Sequence, residues 1–505
     1  MADQTVDAMT SNFLQAAILS LRQNVVPALS DPSARIHADL VTRVLYMLHS
    51  RFSRRGGDLQ QLIAQTQSQL DEAGKLLGLA PAAPAAQAVG GFSQIEQLEQ
   101  ALLALEMRLN GLMPQLIALA GGDSPLRPQA VALLRRVVQE QEQFLAAQDP
   151  DILKGGYVCY QGGRIEEERL VARPALYGAE VTEASLTQHL QGRFPGCRVE
   201  QLSVMAGGFS KTTLFFTLVH ASGERESLVI RKDLPVDYIA SVADEFPLLQ
   251  KIHAAGFPVA EPRWLEDDPV PFGGRFMVSR RVGGSTDVSR WAADPSMVEN
   301  FARQMAAVMG RLHALKLNQV GYGAEIASQS AGELMKAELE RWHQVLLSER
   351  REGHPIEELA MNWLKANIPA TLFARQGVLV HGDLGFHNLM IANGHVSALL
   401  DWEFSHPGDQ VEDLVYTKPF IEKVMGWDTF KAYYAEHTGV TCTPEEEFFY
   451  EVWAKTRNTI GGVKGAALFA TAVPTEIKFA VSGSILARYL GLEAGHMVLE
   501  SLGTE

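Results

Sequence analysis

The chain divides by the rhythm of its apolar positions. Through the first 150 residues they recur at steps of three and four, the period of a helix that buries one face. Ile36, Leu40, Val44, Leu45 and Leu48 mark one helix across Ala34–Phe52, and Leu59–Leu79 marks a second. Ile95, Leu98, Leu102, Leu105 and Leu109 line a third across Gln94–Leu119, and a fourth runs from Leu126 to Ala147, entered through Pro125 and Pro128. Residues 5–29 add another, and Pro81-Ala82-Ala83-Pro84-Ala85-Ala86 is a loop within the region. The pattern predicts an all-helical bundle over residues 1–150 that holds no catalytic constellation.

After residue 150 the rhythm changes. Gly155-Gly156 and Gly162-Gly163 loosen residues 151–174 into a linker. Ser203–Val219 reads as a strand, a glycine-rich turn and a second strand, and Ser227–Arg231 as a third. A helix follows from about Ser241 to Ala255, where Gly256 stops it, and Gly274–Arg280 reads as the last strand of a small lobe. Gly377–Val380 is a short strand entering a loop at His381. Leu389–Ile391, a turn at Asn393-Gly394, and Val396–Leu400 form a hairpin. The aromatics beyond Asp409, among them Tyr416, Phe420, Trp427, Tyr433, Tyr434, Phe449, Tyr450 and Trp453, sit at helical spacing and read mostly as core. Glu445-Glu446-Glu447 reads as a helix start, with Thr443 as cap, Pro444 in the first turn and Glu446 completing a capping box.

One stretch carries chemistry. His381-Gly382-Asp383-Leu384-Gly385-Phe386-His387-Asn388 is followed, past the hairpin, by Leu399-Leu400-Asp401-Trp402-Glu403. Phosphoryl transfer asks for positioning and charge stabilisation more than for covalent work. A carboxylate that meets an acceptor hydroxyl, and an amide oxygen and a second carboxylate that hold Mg²⁺ on ATP, would suffice. Asp383, Asn388 and Asp401 are of those types, and the hairpin folds Asp401 back beside Asp383.

These residues resemble the aminoglycoside phosphotransferase and choline kinase superfamily, a small-molecule branch of the protein-kinase-like fold. The wording His-Gly-Asp-x-x-x-x-Asn with Leu-Asp-Trp-Glu is most similar to the kinase domains associated with acyl-CoA dehydrogenases. The resemblance covers residues 175–500. It implies an α+β, bilobal fold with a small antiparallel-sheet lobe over 175–282 and a mostly helical lobe over 283–505, here preceded by the helical bundle. It implies ATP and Mg²⁺ as cofactors, Asp383 and His381 as catalytic residues, and Asn388 and Asp401 as metal ligands. In the small lobe, Gly207, Gly208 and Ser210 would cover the nucleotide. Either Arg231 or Lys232, which point to opposite faces of one strand, would grip its phosphates. Glu245 would pair with that cation or simply favour a helix start. Met277, Val278 and Ser279 would line the adenine at the hinge. Asp409 and Asp413 would brace the catalytic loop.

Composition agrees with a soluble enzyme. The chain has 505 residues, 47% of them hydrophobic, with no apolar run long enough for a bilayer. Met1–Ser20 lacks the charged start, apolar core and cleavage site of a secretory leader, so a cytoplasmic protein with no membrane partner is expected. Cys159, Cys197 and Cys442 are far apart and form no metal or disulfide framework. A net charge of −15 speaks against nucleic-acid binding. The reading is a small-molecule kinase acting on a hydroxyl acceptor, a hydroxyacyl-CoA or hydroxy acid. The alternatives are an aminoglycoside or macrolide kinase, or a catalytically idle nucleotide-binding scaffold. Two uses of the bundle stay open, an interface within the chain or in a homodimer, and a share in binding the acceptor.

Overall fold

The computed structural model describes residues 13–30, 32–80, 92–148, 181–204, 210–234, 238–349, 352–469, 483 and 486–503. The linker expected over 151–174 and the glycines Gly207 and Gly208 lie outside the described residues.

Three long helices, α1 (Pro32–Leu76), α2 (Phe92–Gly121) and α3 (Arg127–Gln148), make up most of the N-terminal part. α1 is continuous where the apolar pattern suggests two helices separated near Gly56-Gly57. Glycine inside a helix costs only about 1 kcal/mol. Leu59, Leu62 and Leu70, buried beyond the pair, outweigh that cost.

The small lobe follows. Helix α4 (Glu183–Leu190) covers a sheet of strands β1 (Arg198–Val204), β2 (Lys211–Val219), β3 (Arg225–Asp233), β4 (Pro262–Glu266) and β5 (Phe276–Arg280). Helix α5 (Val242–Ala254) lies between β3 and β4 in sequence. The sheet is antiparallel throughout, in the order β1-β2-β3-β5-β4. Strand alternation sorts its faces. Leu214, Phe216 and Leu218 of β2, Leu228 and Ile230 of β3, and Val278 of β5 form a core with Leu186 and Leu190 of α4. On the other face Lys211, Thr213 and Phe215 pair with Asp233, Arg231 and Val229, and Arg231 pairs with Met277.

The large lobe holds helices α6 (Pro295–His313), α7 (Ala331–Ser348) and α8 (Pro355–Ala366) before the segment His381–Glu403. Helices α9 (Gln410–Ile421), α10 (Trp427–Thr438), α11 (Pro444–Phe469) and α12 (Ala487–Leu502) follow it. Between the two sets, β6 (Val378–Val380) pairs with β9 (His406–Gly408), and β7 (Leu389–Ala392) pairs with β8 (His395–Leu399). The β7–β8 turn has positive φ at Asn393 (52°) and Gly394 (79°), the geometry that Asn-Gly favours. Met305 and Met309 of α6 share one apolar cluster with Leu384, Phe386, Leu389, Leu399 and Trp402, so the segment 381–403 rests on a solid floor. The expected capping box at Thr443 is present, with Thr443 N donating to Glu446 at 2.9 Å and Glu446 N to the Thr443 hydroxyl at 3.2 Å.

The N-terminal helices and the large lobe share one apolar core. Leu109 and Met113 of α2 and Leu134, Val137 and Val138 of α3 cluster with Trp342 of α7, Ile356 and Met361 of α8, and Leu499 and Leu502 of α12. A polar contact accompanies it. The buried Glu106 of α2 accepts from Gly353 N at 2.9 Å and from Gln141 at 2.9 Å, while Asn110 donates to the Gly353 carbonyl at 2.5 Å. A Cβ on Gly353 would stand 2.1 Å from Cβ of Glu106, so only glycine allows this approach. Among the described residues no helix is long and apolar enough to cross a membrane.

Candidate active site

The small lobe brings its charges to the cleft through the register of β2 and β3. Arg231 lies on the cleft face and Lys232 on the opposite one. Arg231 Nη2 reaches Asp401 Oδ1 at 2.7 Å, and Nη1 stands 3.8 Å from Glu245. The Lys232 ammonium turns back to the Asp233 carbonyl at 3.2 Å, and burial lowers its pKa. Strand parity therefore separates the two cations, and Arg231 is the one that joins the cleft group.

Glu245 is placed by the start of α5. Ser241 caps that helix and Asp244 completes the box, with Ser241 N donating to Asp244 at 3.2 Å. Asp233, at the end of β3, accepts from the Ser241 hydroxyl at 2.6 Å and from Val242 N at 3.0 Å, pinning the helix to the strand. Glu245 is thereby buried behind Arg231. Burial raises its carboxyl pKa, opposed by Arg231 and Lys211.

The large lobe supplies the remaining groups. Asn388 donates its side-chain amide to the Asp383 carbonyl at 2.8 Å and to Asp383 Oδ2 at 3.0 Å. That commits the amide nitrogen and leaves the carbonyl oxygen as the atom a cation would take. The backbone carbonyl of Asn388 accepts from Leu400 N at 2.9 Å, which sets Asn388 against the residue before Asp401. Asp401 itself has φ 65°, in the left-handed region, at a cost of about 1 kcal/mol. Asp383 is a fifth exposed, with His387 Nε2 3.5 Å from Oδ1. Burial would raise its pKa, but hydrogen bonds from His387 and Tyr416 win and hold it at about 2. It is a carboxylate at any working pH.

Beneath this surface lies a set of braces. Asp413 of α9 accepts from His381 N and Gly382 N, both at 2.8 Å, and His313 of α6 contacts it at 3.1 Å. Gly382 has φ 83°, and a Cβ there would lie 2.5 Å from the Phe404 carbonyl oxygen. Arg457 of α11, fully buried, donates to the Gly382 carbonyl and pairs with Glu412 at 3.2 Å. His381, expected to be catalytic, is likewise fully buried, and its Nε2 contacts the Leu400 carbonyl at 2.9 Å. It ties the two halves of the motif together from below and does not face the cleft. Asp409, expected to brace the same loop, instead binds Arg375 at 2.7 Å and Tyr450 at 3.0 Å.

The other expected residues divide by face. Met277 and Ser279 share the cleft face with Arg231, while Val278 points into the outer core under α4. Ser210, just before β2, donates to Glu403. Sequence reasoning passed over Lys211, Tyr416, His387 and Arg457. Lys211 left a signal, as the lone cation opening an apolar strand directly after the glycine-rich turn. Tyr416 and Arg457 left none, since they reach the catalytic loop only through the packing of α9 and α11.

Among the described residues no group of three or more His, Cys, Asp or Glu side chains forms a ready metal cage. The cleft offers instead the Asn388 carbonyl oxygen and the Asp401 carboxylate, hard donors of the kind Mg²⁺ takes together with substrate phosphates. Four carboxyl groups, Asp233, Glu245, Asp401 and Glu403, crowd the two cations Lys211 and Arg231, and Glu403 is pushed up to about 8 by its burial and then by Asp401, a repulsion that a bound cation would relieve.

Residues 201–448 match the model of the phosphotransferase enzyme family. Human acyl-CoA dehydrogenase family member 11 is 26% identical over 254 residues, covering 48% of this chain and 31% of that protein. The protein of the same name from Pongo abelii is 24% identical over 293 residues, covering 56% of this chain and 36% of that one. The chain thus spans about a third of the length of the curated relatives it matches. A solved macrolide 2'-phosphotransferase from Brachybacterium faecium is 19% identical, with a TM-score of 0.41, covering 60% of this chain and 97% of that one. The match to the phosphotransferase enzyme family thus takes in most of the five-stranded sheet and the whole segment that carries Asp383, Asn388 and Asp401.

Proposed function

We propose that the protein transfers the terminal phosphate of ATP to a hydroxyl of a small metabolite. The observation that carries this reading is the convergence of Asp383 and Asn388 in one hydrogen-bonded unit beside Asp401, itself gripped by Arg231. Asn388 and Asp401 would hold Mg²⁺, which when bound neutralises charge on the nucleotide phosphates. Arg231 offers a planar, permanently charged fork to those phosphates, and Glu245 behind it sets its direction. Asp383 orients the acceptor hydroxyl. With a pKa of about 2 it is a weak base, so alignment of the attacking oxygen is its main contribution. Asn388 and Tyr416 keep its carboxylate from turning.

Within that class we favour a hydroxyacyl compound, a CoA thioester or the free hydroxy acid. The curated relatives are acyl-CoA dehydrogenase family members. The acidic run Glu445-Glu446-Glu447, the feature that would suit a polycationic antibiotic, is largely engaged within the protein. Glu446 binds Arg375 and Thr371, both at 2.6 Å, and Glu447 binds Lys418 at 2.6 Å and Trp427 at 3.0 Å. The walls beside Asp383 are instead Tyr416, Phe420 and His387, with ring centroids of His387 and Phe420 4.8 Å apart.

The test is a screen for acceptor-stimulated ADP release with hydroxy acids, their CoA esters, aminoglycosides and macrolides. Stimulation by the first two groups is expected. Stimulation by an antibiotic alone would move the acceptor to that class. ATP binding with no turnover on any acceptor would favour a nucleotide-binding scaffold.

A further inference from the structure

Glu403 belongs to the large lobe, yet the small lobe holds its side chain. It accepts a hydrogen bond from the Ser210 hydroxyl, and the Lys211 ammonium stands 3.7 Å from the same oxygen. Lys211 opens β2, and Ser210 directly precedes it. Both are buried. The same ammonium donates to the Ala240 carbonyl and faces Asp233 at 3.5 Å and Glu245 at 4.0 Å. One cation therefore touches the end of β3, the start of α5 and the segment that carries Asp401.

The position of Glu403 gives this contact its consequence. Asp401 sits two residues earlier in a left-handed conformation that relaxes unless both flanks are fixed. The upstream flank is fixed by Leu400 N on the Asn388 carbonyl at 2.9 Å. The downstream flank is fixed at the buried Trp402, whose Nε1 donates to the Leu399 carbonyl at 3.0 Å, and one residue further by Ser210 and Lys211 acting on Glu403. We propose that Ser210 and Lys211 form a latch on Glu403. The latch couples the start of β2, and through it the β3 strand that carries Arg231, to the Asp401 segment, so that phosphates and divalent cation are gripped together. Lys211 is a positioning residue in this account. The inference deepens the phosphotransferase reading and rests on it.

The experiment is calorimetric titration of the full chain with a non-hydrolysable ATP analogue, with and without Mg²⁺. The variants are Ser210→Ala, Lys211→Met, Lys211→Arg, Glu403→Ala and the Lys211→Met/Glu403→Ala pair. In each loss-of-contact single variant the gain in affinity that Mg²⁺ confers should fall roughly tenfold, and in the pair no further, as for residues that act as one unit. Affinity without Mg²⁺ should change by less than about threefold, and Lys211→Arg should recover part of the gain. A role confined to stability would lower the melting temperature and leave the Mg²⁺ gain intact, which overturns the proposal. So would a pair whose loss is the product of the two single losses. Should Lys211→Met not fold, Ser210→Ala, which removes one hydroxyl, decides alone. The phosphotransferase reading fails separately, if the wild type binds no nucleotide or if Asp383→Asn keeps full turnover.

Discussion

Arg231 and Lys232 are neighbours with the same charge, and one strand position separates their fates. The β2–β3 register places Arg231 with Thr213 and Met277 on the cleft face, and Lys232 on the other. Arg231→Met should raise the KM for ATP by roughly one to two orders of magnitude, because it removes a charge-assisted fork and leaves Asp401 and Glu245 unpaired. Lys232→Met should leave KM within about twofold, since its contact is a backbone carbonyl away from the cleft. Steady-state kinetics on both variants checks this, and the reverse ranking would refute the assignment. The site was legible where its groups are close in sequence. Asp383, Asn388 and Asp401 fall in one stretch, and strand parity left only the choice between two cations. Lys211 was half-legible. Tyr416 and Arg457 were not, because Arg457 meets Gly382 across 75 residues and no local pattern announces such a contact.

At the scale of elements, the hairpin, the helix caps and the sheet strands were readable because each is set by neighbours in the chain. The length of α1 was not, because burial beyond Gly56-Gly57 overrides a local break. Buried neighbours decide the ionisation of His406 in β9. His406 sits buried between Glu338 and Glu412, 3.3 Å from the latter. Its own burial lowers its pKa, but the two carboxylates win and push it up to about 9. Because the folded value lies above the ordinary 6.5, this charge stabilises fully below about pH 6.5, and its contribution is lost as pH rises through about 9. The melting temperature should therefore fall by about 2 °C between pH 7 and pH 9.5. His406→Phe should lower it at pH 7 and flatten that dependence, since it leaves Glu338 and Glu412 with one cation fewer. An unchanged slope in the variant would show that another group titrates.

At the scale of the whole molecule, the sequence pattern located a helical N-terminal region but could not say where its apolar faces go. Periodicity marks which side of a helix is buried and not what covers it. The structure covers it with the large lobe, through Leu109, Met113, Val137 and Val138 against Trp342, Ile356 and Leu499. Deleting residues 1–148 would expose this face of α8 and α12, so the remaining chain should aggregate or melt well below the intact protein. A stable, monomeric truncation with unchanged kinetics would contradict the shared core. On a finer level, Gly353→Ala should lower stability by about 2 kcal/mol or more, because its Cβ would fall 2.1 Å from Glu106. Chemical denaturation of that variant checks the docking of the loop without removing any helix.

The central claim is that Asp383 serves the acceptor while Asn388, Asp401 and Arg231 serve Mg·ATP. It is tested most directly by measuring acceptor-dependent ADP release and Mg·ATP affinity side by side in the wild type and in Asp383→Asn. Turnover should fall by about a thousandfold or more while Mg·ATP affinity stays within roughly threefold. Turnover that survives the substitution, or turnover and affinity lost together, would contradict that division of labour.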